Sequence, residues 1–215
     1  MARMASLGQA KTLGGVGAIL ALLFWVPAHI GIVLLIVGLV LMLFAVKNIA
    51  DTVGDQPIFS NMVYSVILAI IGPVIATVVL LAAAASFIGA LGGFTPGTMT
   101  LPSGFLTAIG FVILAGVILW VCILISTIFV KRSYDTIATK LRVDLFRTTG
   151  LLFLIGAATL IVLVGFVILF IAAILQVVAF FSIPEQLPSQ SPPQQVWGPP
   201  TPPAPMPPPS LTPAQ

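Results

Sequence analysis

Residues 13–46 read LGGVGAILALLFWVPAHIGIVLLIVGLVLMLFAV and carry no Asp, Glu, Lys or Arg. A membrane-spanning helix needs about 20 such residues. This run is too long for one ordinary span and short for two, so the fold turns on whether it is broken. Near its middle stands Phe24-Trp25-Val26-Pro27-Ala28-His29-Ile30-Gly31. Pro27 lacks an amide donor and disfavours helix at the residue before it. Trp25 and His29 are side chains that suit a membrane interface. The segment reads as a tight turn at a membrane surface, between helices over 8–25 and 29–47.

A second overlong apolar run covers 148–183. Val164-Gly165 is its best break, because glycine permits a turn, though it does not demand one. Internal similarity favours dividing both runs. Lys11-Thr12-Leu13-Gly14 resembles Arg147-Thr148-Thr149-Gly150, and Gly31 aligns with Gly165. Ala45-Val46-Lys47-Asn48-Ile49 aligns with Ala179-Phe180-Phe181-Ser182-Ile183 after a two-residue shortening. The matches are weak, since apolar residues and glycine align readily with one another, but they fit a duplicated hairpin.

Charge gives the second argument. All eight basic residues fall in three stretches: Arg3 and Lys11; Lys47; and Lys131, Arg132, Lys140, Arg142 and Arg147. With six spans and a cytoplasmic N-terminus, every one of them faces the cytoplasm, the pattern of the positive-inside rule. The outer connectors, near 26–29, 91–104 and 164–165, then carry no Lys or Arg. Four spans with an outer N-terminus misplace Arg3 and Lys11 alone, so charge prefers six modestly. Four spans with an inner N-terminus put six basic residues outside and are rejected.

Composition agrees with lipid as the solvent. The 215 residues are 60% hydrophobic and 6% charged, against about 25% charged in ordinary soluble domains. The net charge of +3 does not indicate nucleic acid, because the basic residues flank spans and no polar domain carries a patch. Membrane lipids are the partner it implies. The N-terminal run exceeds a signal-peptide core of 7 to 15 residues and reads as retained helix. Cys122 stands alone, so an intrachain disulfide and a cysteine metal cluster are excluded; it reads as a small core or lipid-facing residue.

Within the spans, Gly72-Pro73 predicts a kink. Ala82 to Ala85 with Ser86, and Gly110, Ala115 and Gly116, are small residues suited to close helix packing. Residues 131–147, KRSYDTIATKLRVDLFR, repeat apolar positions Tyr134, Ile137, Ala138, Leu141 and Leu145 at helical spacing. They predict a short amphipathic helix at the cytoplasmic interface, with Lys140 paired to Asp144 and Asp135 near Thr139. Asp51 and Asp55 are too few oxygen ligands for calcium and read as capping and topological residues. From Pro184 the chain holds thirteen of its eighteen prolines and predicts a disordered tail.

Chemistry is sparse. His29 has no base, nucleophile or second ligand beside it. No Asp, Glu, Lys or Arg is expected in the hydrocarbon layer, where ion-coupled carriers place theirs. The polar residues there are Asn61, Thr77, Thr107, Ser126, Thr127, Thr159 and Gln176. Gln176 is the most conspicuous and suits a hydrogen bond across helices.

The chain resembles the DUF996 family of uncharacterised archaeal and bacterial integral membrane proteins. The resemblance rests on the glycine-rich hairpin with Val26-Pro27 at its turn, the Ala45 to Ile49 exit, Gly54-Asp55, Ile58-Phe59 and Asn61. It also rests on Lys131 to Asp135, Leu145-Phe146-Arg147-Thr148 with Gly150, and Phe180 to Pro184. It covers residues 5–185 and leaves the tail outside. It implies a membrane protein of unknown activity and supplies no catalytic, cofactor or metal residues.

The expected architecture is all-α: a polytopic bundle of six transmembrane helices over 1–183, or four if the long runs are unbroken, followed by a disordered Pro-rich tail over 184–215. The expected role is a non-enzymatic scaffold or assembly partner in the cell membrane, with both termini cytoplasmic and no cofactor. A homo-oligomer or a protein partner would dock through residues 131–147 or the tail. The alternative is a small permease or channel subunit working as an oligomer. A polar track joining Thr77, Thr107, Thr159 and Gln176 would favour that alternative.

Overall fold

The computed structural model describes residues 7–23, 29–92, 103–185 and 187. Six α-helices account for nearly all of them: α1 (Leu7–Leu22), α2 (His29–Val53), α3 (Gln56–Gly92), α4 (Ser103–Leu141), α5 (Asp144–Ala158) and α6 (Val164–Phe181). Among the described residues there is no strand. Each helix packs on the next, and α1 packs on α6, so the six close into a ring. Four helices, α2, α3, α4 and α6, are long and apolar enough to cross a membrane. The chain is an all-α, multi-pass membrane protein.

Both overlong runs are broken, as a six-helix fold requires. The first break falls between Leu22 and His29. Trp25 and Pro27 lie outside the described residues, as do Arg3, residues 93–102 of the glycine-rich connector and the tail from 188 onward. The second break differs in place from the expected Val164-Gly165. Helix α5 ends at Ala158, a 3-10 turn covers Leu160–Val162, and Leu163 takes a left-handed backbone at φ 64°. The Thr159 hydroxyl folds back on its own helix, donating to Ile155 O at 2.8 Å. Gly165 then sits inside the first turn of α6, with its amide donating to Thr159 O at 3.2 Å. Its role is close approach: a Cβ there would lie 2.3 Å from Gly156 O and 2.4 Å from Leu160 N.

The expected interfacial helix over 131–147 does not exist as a separate element. Helix α4 runs on to Leu141, and a turn at Arg142-Val143 leads directly into α5. Tyr134, Ile137, Ala138 and Leu141 are indeed one apolar face, but they are buried against the rest of the chain rather than a headgroup layer. The expected Lys140–Asp144 pair is also replaced. Lys140 instead reaches Asp55 at 3.4 Å, tying α4 to the α2–α3 turn, while Asp135 pairs with Lys131. The Thr139 hydroxyl donates to the backbone carbonyl of Asp135.

Two turns at this end share one construction. Gly54 (φ 73°) is followed by an Asp55 amide donating to Ala50 O, and Arg142 (φ 55°) by a Val143 amide donating to Ala138 O. Both are Schellman-type helix ends, in which one left-handed residue satisfies carbonyls of the last turn. Glycine fits that conformation, whereas an L side chain costs about 1–2 kcal/mol in it. Arg142→Gly is therefore expected to stabilise the fold by about 0.5–1 kcal/mol after glycine's greater entropy loss is subtracted. The check is a higher thermal unfolding midpoint in detergent.

The packed core sits at one end of the ring. Leu7 and Ala10 of α1, Val46 and Ile49 of α2, Ile58 of α3, Tyr134 and Leu141 of α4, Phe146 of α5, and Phe180 and Ile183 at the end of α6 form one buried cluster. The charged ends of α1, α2 and α4 and the start of α5 all meet there. Seven of the basic residues, all but Arg3, are therefore gathered at a single end. Away from it the helices show large apolar side chains outward, Val78, Leu81, Ile88, Leu106 and Ile113 among them. Lipid, not water, suits such a surface.

Helices α3 and α4, at 37 and 39 residues, are about 55 Å and 58 Å long. The Trp120 indole donates to Ala157 O at 3.0 Å, which sets the end of α5 level with Trp120. The first part of α4, from Ser103, and the matching part of α3 project beyond it as a hairpin of their own. Small residues hold this pair together: Gly104 faces Ser86 O and Ala90, and Ala83, Ala108 and Ala115 are buried. Gly110 and Gly116 instead have no neighbour within 4 Å of an added Cβ, so they do not serve helix packing. Helix α3 is continuous through Pro73, and the Thr77 hydroxyl donates to Pro73 O at 2.7 Å. Gly72 lies against Cys122, whose Cβ would be 2.7 Å from an added Cβ; the cysteine is a packing residue of the α3–α4 contact.

Candidate functional site

Inside the ring, beside the packed end, is a chamber of about 280 Å³. Every helix contributes to its wall: Ala18 and Leu22 from α1, Leu35 and Met42 from α2, Met62 and Ser65 from α3, Ser126 and Tyr134 from α4, Phe153 from α5, and Ala173 and Gln176 from α6. The wall is mostly apolar, with hydrogen-bonding groups concentrated on α3, α4 and α6.

Gln176 organises the polar side. Its Nε2 donates to the Tyr134 hydroxyl at 2.7 Å and to Met42 Sδ at 2.9 Å, joining α6, α4 and α2. The residue is 8% exposed and Tyr134 is fully buried. Tyr134 is held from behind by Phe146 and Phe180, whose rings stand edge-on to it and to each other at 5.2 to 6.5 Å between centroids. A second cluster bridges α3 and α4: the Ser65 and Ser126 hydroxyls lie 2.9 Å apart, and Ser126 Oγ also donates to Ser65 O. Below it, Ser133 Oγ donates to Ile58 O at 2.8 Å. Thr127 lines the chamber too, but its hydroxyl returns to Leu124 O of its own helix.

The expected bond across helices from Gln176 is present. The wider track is not: Thr77 and Thr159 bond carbonyls of their own helices away from the chamber, and Thr107 lies on the exposed projecting part of α4. Asn61 does not line the chamber either. Two groups that do, Ser65 and the Tyr134 hydroxyl, were not singled out from sequence. Ser65 stands at helical spacing with Met62 and Ala69, which marks one face of α3. Tyr134 reads as an apolar position because its ring obeys the amphipathic pattern, and nothing in the pattern reports where its hydroxyl points. His29 begins α2, and its side chain lies outside the described residues. Among the described residues, no group of His, Cys, Asp and Glu is assembled to hold a metal ion.

A family model described as a protein of unknown function, DUF996, matches residues 34–174. The chain belongs to the DUF996 family. An uncharacterized protein of Methanocaldococcus jannaschii, MJ1644, is 37% identical over 185 residues, which are 86% of this chain and 97% of that protein. No solved structure matches the chain. The DUF996 match takes in Met42, Ser65, Ser126 and Tyr134 and stops just short of Gln176. The family contributes no activity, so the chemistry of the chamber has to be argued from its own residues.

One consequence is measurable. Tyr134→Phe keeps the aromatic packing and removes the acceptor for Gln176. A hydrogen bond between helices in a membrane protein contributes about 0.6 kcal/mol on average and up to about 2. The expected loss is about 1 kcal/mol, read from unfolding in mixed micelles titrated with sodium dodecyl sulfate.

Proposed function

We propose that the protein is a non-enzymatic scaffold or assembly partner that spans the cell membrane six times and presents its charged end to the cytoplasm. The observation that carries this reading is the coincidence of charge and rigidity. Lys47, Lys131, Arg132, Lys140, Arg142 and Arg147 are displayed on the end that also holds the buried Tyr134, Phe146 and Phe180 core. A rigid, mainly basic platform beside a bilayer suits anionic headgroups and protein partners. The positive-inside rule supports a cytoplasmic position for that end, and for both termini with it. The antiparallel hairpins α1–α2 and α5–α6 each return to it, although α1 has 16 residues and α5 has 15, about 24 Å and 22 Å. The Pro-rich segment from Pro184 leaves from the same end and acts as a tether for a partner.

Among the described residues, none that is charged lines the chamber. This supports a role without acid–base or ion-coupled chemistry. A second reading, a permease for small neutral solutes, draws on the chamber itself. Proteoliposome swelling in glycerol or urea separates the two. The scaffold reading expects leak rates equal to empty vesicles, together with lysine crosslinks from Lys47, Lys131 or Lys140 to one stoichiometric partner in native-lipid nanodiscs. Swelling well above the empty vesicles, without such a crosslink, overturns it in favour of the permease.

A further inference from the structure

We propose that the chamber is a binding site for a small neutral amphiphile with one hydrogen-bond donor, such as an alkanol, which enters from the bilayer between α2 and α3. This goes beyond the scaffold reading and does not depend on it.

One hydrogen-bond acceptor at the chamber goes unanswered. Gln176 spends both amide protons, on Tyr134 and on Met42. A thioether sulfur only accepts, so the amide nitrogen must be the atom facing Met42. The carbonyl Oε1 is thereby left as the outward group, and it accepts no hydrogen bond from the described residues. It is not among the side-chain atoms sealed away without a partner, and Gln176 lines the chamber. An acceptor in apolar surroundings is costly when left unpaired. The Tyr134 hydroxyl, which accepts from Gln176, keeps a proton of its own to give, whereas Ser65, Ser126 and Thr127 bond one another or backbone carbonyls. The chamber thus asks for one group that donates to Gln176 and can accept from Tyr134, as a hydroxyl does.

The rest of the wall sets the remainder of the ligand. Apolar side chains such as Met62, Val66 and Phe153 surround the space, and no charged residue among those described faces it. A charged headgroup would have no counter-charge there. At about 280 Å³ the volume is near the low end of small-molecule sites, which begin at about 300 Å³. The route in is where the ring is loosest. Helices α2 and α3 share the least contact of the neighbouring pairs. The chamber-lining Leu35, Leu39 and Val66 there are half-buried, and Ala69 is exposed.

The test uses the full chain in lipid nanodiscs and a diazirine derivative of 1-octanol, with labelled residues mapped by mass spectrometry. Labelling is expected on Met42, Met62 and Phe153, and 1-octanol is expected to compete about tenfold better than octane, the discrimination of one neutral hydrogen bond. In Gln176→Leu the labelling persists and that preference disappears. Ala173→Phe fills the chamber and abolishes labelling. The wild-type comparison of octanol with octane stands even if a variant fails to fold. Equal competition by octane overturns the proposal in favour of a lipid chain. Absence of chamber labelling, or labelling spread over lipid-facing residues such as Val78 and Ile113, overturns it altogether.

Discussion

Phe180→Ala is expected to destabilise the bundle by about 3–5 kcal/mol. Phe180 is fully buried and stands edge-on to both Tyr134 and Phe146, at 6.5 Å and 5.2 Å between centroids. Its other face fills the space over Gly14 of α1, where even a Cβ would lie 2.1 Å from the ring. The ring therefore joins α1, α4, α5 and α6 at the packed end. Removing it leaves a void bounded by backbone on one side and by two aromatic rings on the other, and neither side collapses easily. Loss of helicity in dodecyl sulfate titrations measures the change. A loss below about 1 kcal/mol would mean the packed end is not what holds the ring closed.

Gly165→Ala is expected to cost about 2–3 kcal/mol, against the sign that helix propensity gives. Gly165 lies in α6, where alanine is ordinarily favoured over glycine by about 1 kcal/mol. The obstacle is backbone, since the new methyl would meet Gly156 O and the Leu160 amide at 2.3 Å and 2.4 Å. Backbone cannot rotate aside as a side chain can, so the α5–α6 hairpin must open. Gly116→Ala is the control: nothing lies within 4 Å of its added Cβ, and the expected change is zero or a small gain. Equal behaviour of the two variants would remove close approach as the reason for glycine at 165.

Sequence carried the number of helices and the end at which they meet, because both follow from solvation. Uncharged runs of known length must cross or enter lipid, and Lys47, Lys131 and Arg147 mark where they leave it. Membership in DUF996 was legible from the same short charged segments. The turn at Thr159–Leu163 falls a few residues before Val164-Gly165, because a glycine permits a turn without marking it. Here a leucine takes the left-handed position and glycine answers a contact with a residue nine positions away, which no local pattern reports. Residues 131–147 depart from the expected interfacial helix for a related reason. An amphipathic face announces that something apolar covers it, and Phe146 and Phe180 cover Tyr134 as well as a headgroup layer would.

The register that aligns Gly31 with Gly165 also aligns Met42 with Gln176, and these two meet at 2.9 Å. Ala45 and Ala179, aligned likewise, are both fully buried. The chamber lies on that contact, and its polar groups were only half legible because hydrogen bonds between helices depend on register and not on composition.

The central claim, six passes with the charged end inside, is tested most directly by reporters fused before Met1 and after Gln215, one active only in the cytoplasm and one only outside it. The expected result is cytoplasmic activity at both ends. External activity at both ends would contradict the account.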